Sequence, residues 1–205
     1  MSPVIIRILS LLVGYLLGSF LTAVPVVKRI TGKDIFTLGS GNPGFANTLD
    51  EAGKKAGTLT LTGDILKTVL ALGLTFLFAK QAWPLLYMAW AGLGAVAGHD
   101  FPFWHRFKGG KGVAVNCTYL VLGIPLWGAL CCITGGGVML ITGNFWVCAM
   151  LIDLLAVPFA FWKLGVEGGI LCVLMFLISV SRNIPSLIKL KKGEEHLAFG
   201  RGKKD

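Results

Sequence analysis

Two short stretches of this chain concentrate groups that can hold a phosphate. In the first, Gly39-Ser40-Gly41-Asn42-Pro43-Gly44 is followed by Asn47. Gly41 and Gly44 let backbone amides come close to a ligand, and consecutive amides can form a nest for an anion. Ser40, Asn42 and Asn47 add neutral hydrogen-bonding side chains. In the second, 98-GHDFPFWHRFKGGKG-112, Lys108 and Lys111 bracket Gly109 and Gly110, with Gly112 directly after. A lysine ammonium is a mobile point charge suited to phosphate. Each stretch also has a plainer reading. The first could be an ordinary tight turn, and the second a basic anchor at lipid headgroups with Phe101, Phe103 and Trp104 at the interface. A nucleotide-binding P-loop is excluded, because Gly112 stands where that motif needs Ser or Thr and the upstream glycine spacing differs.

A third group is Asp64 and Lys67, opposite charges three positions apart inside an apolar run. At that spacing they share a helix face and can pair. Ionisable residues at membrane depth are functional candidates by default, although a structural pair anchoring the helix is the expected role here. His99 opens the second loop, and a neutral-range imidazole can either support that loop or act as a base.

The elements that must carry these groups are membrane helices. Hydrophobic residues make up 55% of the 205, charged residues 14%, and the mean hydropathy is +0.75, far from an ordinary soluble domain. A spanning helix needs roughly 20 mostly apolar residues. Residues 4–27 and 59–78 meet that length, and 83–97 is somewhat short. The first segment is read as retained, since it is too long and too weakly basic at its start for a cleaved signal peptide. Apolar chain continues over 113–180, interrupted by Pro125, Gly135–Gly137, Gly143-Asn144, Pro158 and Lys163. The five cysteines lie in apolar stretches without metal-like spacing and read as reduced, buried small hydrophobes. No metal site is expected.

The net charge of +9 is uneven. Lys28, Arg29, Lys33, Lys54 and Lys55 lie between the first two spans. His105, Arg106, Lys108 and Lys111 follow the third, and Arg182, Lys189, Lys191, Lys192, Arg201, Lys203 and Lys204 fill the tail. The positive-inside rule puts these regions in the cytoplasm and the N-terminus, with lone Lys80, outside. Such a topology needs an odd number of spans, so five and seven are both open. All the dense polar motifs then fall on the cytoplasmic side. A transporter is disfavoured, since no internal repeat is apparent.

Taken together, these segments resemble the PlsY family, the bacterial membrane acyltransferases that use acyl phosphate to acylate glycerol 3-phosphate. The resemblance rests on Gly18-Ser19, Asp34-Ile35, Gly39-Ser40-Gly41-Asn42 with Gly44 and Asn47, and Gly53-Lys54-Lys55-Ala56-Gly57. It continues through Asp64-Ile65-Leu66-Lys67, Gly98-His99, Phe101-Pro102 and Phe107–Ala114, and ends in Asn183-Ile184 followed by Gly193-Glu194-Glu195. It implies one all-α, polytopic integral membrane domain over 1–205, with seven transmembrane helices, the N-terminus outside and the C-terminus cytoplasmic. The location implied is the bacterial plasma (inner) membrane, with the active site on its cytoplasmic face.

The implied reaction joins acyl phosphate and glycerol 3-phosphate to give 1-acyl-glycerol 3-phosphate and phosphate, in phospholipid synthesis, without a cofactor. Ser40, Asn42, Lys108 and Asn183 are then the catalytic candidates. Gly41, Gly44, Asn47, Gly109, Gly110, Lys111 and Gly112 would bind substrate phosphate, with His99, Asp64 and Lys67 in support. Ser40, Asn42, Lys67, Lys108, Lys111 and Asn183 are expected to face one cytoplasmic cavity. Membrane lipids are the expected surroundings, no nucleic acid is expected as a partner, and the oligomeric state is open.

The chain also departs from the family pattern. Asp50 stands where the family carries an arginine, Val180 where its third motif carries a histidine, and Phe36 and Val115 replace usual polar residues. These differences support a second reading, a catalytically impaired relative that binds anionic lipid or a phosphometabolite. If Asp50 adjoins the phosphate site, the expectation is that it turns toward Lys54 one helical turn later.

Overall fold

The structure is a computed structural model and describes residues 1–79 and 83–191, with side chains through Lys189. Lys80, the basic residues beyond Lys191 and the Gly193-Glu194-Glu195 segment lie outside the described residues. Among those described, regular structure is helical throughout: α1 (Pro3–Gly18), α2 (Ala23–Thr31), α3 (Phe45–Ala79), α4 (Pro84–Asp100), α5 (Val113–Gly123), α6 (Pro125–Thr142) and α7 (Phe145–Lys191). Single 3-10 turns occupy Ile35–Thr37 and Phe103–His105. Among the described residues, four helical segments are long and apolar enough to cross a membrane: Pro3–Thr31, Phe45–Ala79, Pro125–Thr142 and Phe145–Lys189.

The chain forms two compact units, Met1–Tyr119 and the part from Leu120 onward. In the first, α1 and α4 pack backbone to backbone. A Cβ on Gly14 or Gly18 would collide with the main chain of Ala91 or Ala95, and one on Gly94 or Gly98 with that of Leu11, Tyr15 or Ser19. Both helices therefore present a small residue every four positions. In lipid, where apolar surface alone does not drive helix association, such close approach supplies the packing energy.

The expected first span over 4–27 is interrupted. α1 stops at Gly18, where the Ser19 hydroxyl donates to the Leu16 carbonyl at 2.7 Å, and α2 starts at Ala23. Val24 N–H bonds Leu21 O rather than Phe20 O, so the Phe20 carbonyl drops out of the helical ladder. α2 then buries Ala23 and Val27 against Ile35, with Phe36, Leu38 and Ala52 packed around them. This small apolar core fixes the start of the first polar loop.

α3 runs from Phe45 to Ala79 but breaks at Gly53, whose φ of 83° and ψ of 175° lie in a region reserved for glycine. The break ends a short helix after Ala52 and starts the apolar segment 54–79. It also removes the regular turn that would have placed Asp50 over Lys54, so the pairing expected at that spacing loses its helical basis.

In the second unit, Gly128 of α6 approaches the backbone of Leu120 and Val121 closely, so the chain reverses at Ile124-Pro125. α7 breaks at Gly165 (φ 69°, ψ −170°). Gly169 packs on the Phe161 ring and Gly168 on Leu164, and Ser179 lies near the Asp153 carboxylate. Residue pairs placed symmetrically about position 165 thus meet, and α7 is a helical hairpin of 145–164 against 166–191.

Candidate functional site

The first loop is built by Asn47, the third residue of α3. Its side-chain carbonyl accepts from Ser40 N–H at 2.9 Å and its amide donates to Leu38 O at 3.1 Å, clamping both ends of the glycine-rich turn. Further bonds close the turn: Gly41 N–H to Leu38 O at 2.8 Å, Gly44 N–H to Asn42 O at 2.9 Å, and Asn42 N–H to Ser40 Oγ at 3.4 Å. Pro43 has no N–H. Of the two readings of this stretch, nest and tight turn, these residues form the tight turn, because their donors are spent within it. What the loop presents instead are the Ser40 hydroxyl, the Asn42 side chain and the first-turn amides of α3. Ser40 is exposed and Asn42 half-buried.

The second loop leaves α4 at Asp100 and returns to α5 at Val113. It is tied to the break after α1 from several directions. Tyr15 Oη donates to Phe101 O at 2.8 Å, Trp104 Nε1 donates to Ser19 Oγ at 2.8 Å, and the Tyr15 ring stacks on Phe103. The Phe36 and His105 rings meet with centroids 5.4 Å apart, which joins the first loop to the second. Arg106 and Phe107 both take positive φ, 53° and 60°. A left-handed conformation at two successive non-glycine residues costs energy that the surrounding contacts must offset. It reverses the chain so that Lys108 is exposed and Lys111 half-buried.

Beneath these loops lies a buried ionic cluster. Lys67 Nζ is 2.8 Å from each of Asp64 Oδ1, the Phe20 carbonyl and His99 Nδ1. Thr22 Oγ1 lies 3.4 Å from Asp64 Oδ1. Lys67 is 7% exposed, Asp64 2% and His99 3%. The Asp64–Lys67 pairing expected from their spacing is present. Lys67 spends its three N–H bonds inside the protein, so it supports the loops from below rather than lining a phosphate site. His99 O accepts from Gly110 N–H at 2.9 Å, and the Asp100 carboxylate lies beside Gly112.

The structure therefore brings Ser40, Gly41, Asn42, Gly44 and Asn47 into one loop, sets Lys108, Gly109, Gly110, Lys111 and Gly112 in its neighbour, and holds Asp64, Lys67 and His99 under the latter. Asn183 belongs to the second unit. There it is 1% exposed, with its amide donating to Ser179 O at 2.8 Å and Oδ1 without a hydrogen-bond partner among the described residues. Sequence reasoning missed Tyr15, Phe20, Thr22 and Trp104 as builders of the site. The signal for one of them was present, since Thr22, together with Ser19, interrupts an otherwise apolar run.

Fold and site together define a polytopic helical membrane protein with neutral donors and lysines gathered at one end of a helix cluster. The chain matches the glycerol-3-phosphate acyltransferase family over residues 8–193. Glycerol-3-phosphate acyltransferase 1 of Lactobacillus johnsonii is 38% identical over 171 residues, 83% of this chain and 82% of that protein. The glycerol-3-phosphate acyltransferase of Ralstonia pickettii is 32% identical over 204 residues, 95% of each. The crystal structure of PlsY, an integral membrane glycerol 3-phosphate acyltransferase, in its glycerol 3-phosphate form superposes with a TM-score of 0.80 at 26% identity, covering 93% of this chain and 94% of that one. This protein belongs to the glycerol-3-phosphate acyltransferase family and is a multi-pass integral membrane protein.

Proposed function

We propose that the protein transfers an acyl group from acyl phosphate to glycerol 3-phosphate, giving 1-acyl-glycerol 3-phosphate and inorganic phosphate in phospholipid synthesis. The observation that carries this reading is the junction of two unlike loops through Phe36 and His105: one offers neutral donors and the other lysines. Family membership supplies the substrate class.

An acyl phosphate is a mixed anhydride with a good leaving group, so the protein mainly has to position two anionic substrates and stabilise the developing oxyanion. The glycerol hydroxyl oxygen bonds to the acyl carbonyl carbon, and the bond from that carbon to the phosphate oxygen breaks. The hydroxyl proton passes to a substrate phosphate, so no nucleophilic side chain is needed. Ser40 and Asn42 orient phosphate or the attacking hydroxyl. Lys108 and Lys111 hold the phosphates by charge-assisted bonds.

The topology we favour has seven crossings, with the N-terminus outside, both loops cytoplasmic and the protein in the bacterial inner membrane. The Gly53 and Gly165 breaks support it, since they separate 54–79, 145–164 and 166–191 into individual crossings. α5 is then shorter than the bilayer core, which is tolerated where a helix is packed within protein.

Purified protein in lipid, given acyl phosphate and labelled glycerol 3-phosphate, should form labelled 1-acyl-glycerol 3-phosphate. Binding of glycerol 3-phosphate without turnover would instead favour the impaired-relative reading, which Asp50 and Val180 motivate.

A further inference from the structure

We propose that Lys67 locks His99 as the neutral tautomer protonated at Nε2, and that the locked imidazole sets the path of the Lys108–Gly112 loop. His99 is then a positioning residue for the phosphate-binding lysines and not the base of the reaction. The kinetic half of this inference rests on the proposed acyl transfer; the tautomer half does not.

An ammonium has three N–H donors and no acceptor. Lys67 Nζ has three partners at 2.8 Å, and two of them, Asp64 Oδ1 and the Phe20 carbonyl, are oxygens. The third, His99 Nδ1, must therefore be the acceptor, so its lone pair faces Lys67 and the ring proton sits on Nε2. Asp64 does not reverse this assignment. Its Oδ1 is 3.7 Å from His99 Nδ1, beyond hydrogen-bond range, whereas Lys67 Nζ is 2.8 Å from both. The Phe20 carbonyl is available only because the helix breaks after Gly18, so the lock depends on the interruption of the first span.

The Nε2 edge of the ring lies against Gly110. A Cβ built on Gly110 would collide with Nε2, while Gly110 N–H donates to the His99 carbonyl at 2.9 Å. Residue 110 is thus gripped by both the main chain and the ring of His99. The next turn is held in the same way, since a Cβ on Gly112 would stand 3.0 Å from Asp100 Oδ1. Lys108 lies two residues before the gripped glycine and Lys111 one residue after it, so the ring orientation dictates where both cations point. With Nδ1 occupied by Lys67 and Nε2 already protonated, the imidazole has no lone pair with which to take the glycerol hydroxyl proton.

The test uses the full chain in lipid nanodiscs. Side-chain nitrogen NMR on histidine-labelled protein without substrate reads the tautomer, and the resonances that disappear in His99→Gln identify His99. The expected result is the Nε2–H tautomer at neutral pH, lost or mixed in Lys67→Met. An Nδ1–H tautomer or an imidazolium in the unsubstituted protein would overturn the lock.

The kinetic arm compares two amides. His99→Gln places an N–H donor near the Nε2 position, whereas His99→Asn reaches only the Nδ1 side. Glutamine should keep KM for glycerol 3-phosphate within about threefold, while asparagine should raise it more than about tenfold with kcat changed less than about threefold. A collapse of kcat in both with KM intact would mean that His99 acts as the base. Gly110→Ala keeps the histidine but sets a methyl group against its ring, and it should reproduce the KM defect; an unchanged KM there would overturn the loop-path assignment. If the unsubstituted protein shows no acyl phosphate-dependent turnover, the proposed function fails while the tautomer result still stands or falls by itself.

Discussion

The indole N–H of Trp104 donates to Ser19 Oγ at 2.8 Å, across 85 positions of sequence. It joins the lysine loop to the residue at which the first helix ends, and Ser19 passes the contact on by donating to Leu16 O. Removing the donor with Trp104→Phe should free the loop at a cost of about 0.5–1.5 kcal/mol. The KM for glycerol 3-phosphate should rise by a corresponding factor. Ser19→Ala should do the same, and the double variant should be no worse than either alone. Fully additive effects would show that the bond does not couple the two sites.

The α1–α4 interface leaves no room for a side chain at Gly18. Gly18→Val should destabilise the fold by about 1–3 kcal/mol or more, because backbone cannot yield as a flexible side chain does. Gly73 on α3 has nothing within 4 Å of a built Cβ, so Gly73→Ala should be neutral or stabilising by up to about 1 kcal/mol through helix propensity. Thermal unfolding in detergent checks the pair, and the reverse order would contradict the packing.

Asn47 holds both ends of the first loop, so Asn47→Ala should lower acyl transfer about tenfold or more while the helical signal is kept and the melting temperature falls by only several degrees. Loss of two hydrogen bonds at about 1 kcal/mol each sets that scale. Activity within twofold of the unsubstituted protein would mean that the loop holds its shape without the clamp.

Lys111→Ala should weaken glycerol 3-phosphate binding by about 1.5–3 kcal/mol, the scale of a lost charge-assisted bond. Lys163, which lies 3.8 Å over the Trp162 ring in the second unit, is the control. Lys163→Ala should leave binding unaffected in a calorimetric titration. Equal losses would reject the lysine loop as the phosphate site.

Asp50 is exposed on the short helix that carries Asn47, ahead of the break at Gly53. A carboxylate near the phosphate site would oppose a doubly charged substrate, by up to about 4 kcal/mol per charge pair at 4 Å in a surface-like dielectric. Asp50→Arg is therefore expected to raise, or at least not lower, acyl phosphate-dependent acylation. A loss beyond tenfold in folded, inserted protein would give Asp50 a productive role.

Much of the site was legible in local chemistry. Asp64 and Lys67 pair because helical spacing alone puts them on one face, and the two glycine-rich loops stand out because polar, side-chain-poor segments are rare in so apolar a chain. Nest and tight turn both stayed open in the sequence because glycine content shows only that amides can approach a ligand. Whether they are already bonded depends on Asn47 closing the turn. The break inside the first span was not legible for a similar reason: hydropathy does not register Ser19 and Thr22 as an interruption.

By itself the sequence determined that the chain is helical and membrane-embedded, where its cations gather, and which loops carry phosphate-directed groups. Each of these follows from composition or from spacing within a single element. The tertiary structure alone decided that Lys67 reaches Phe20 and His99, that Trp104 reaches Ser19, and that α7 folds back on itself at Gly165. Those outcomes depend on backbone breaks and on close helix packing that bring distant positions within hydrogen-bond range. The direction of a single buried bond, from Lys67 to His99, is fixed only when all the partners of both groups are in place.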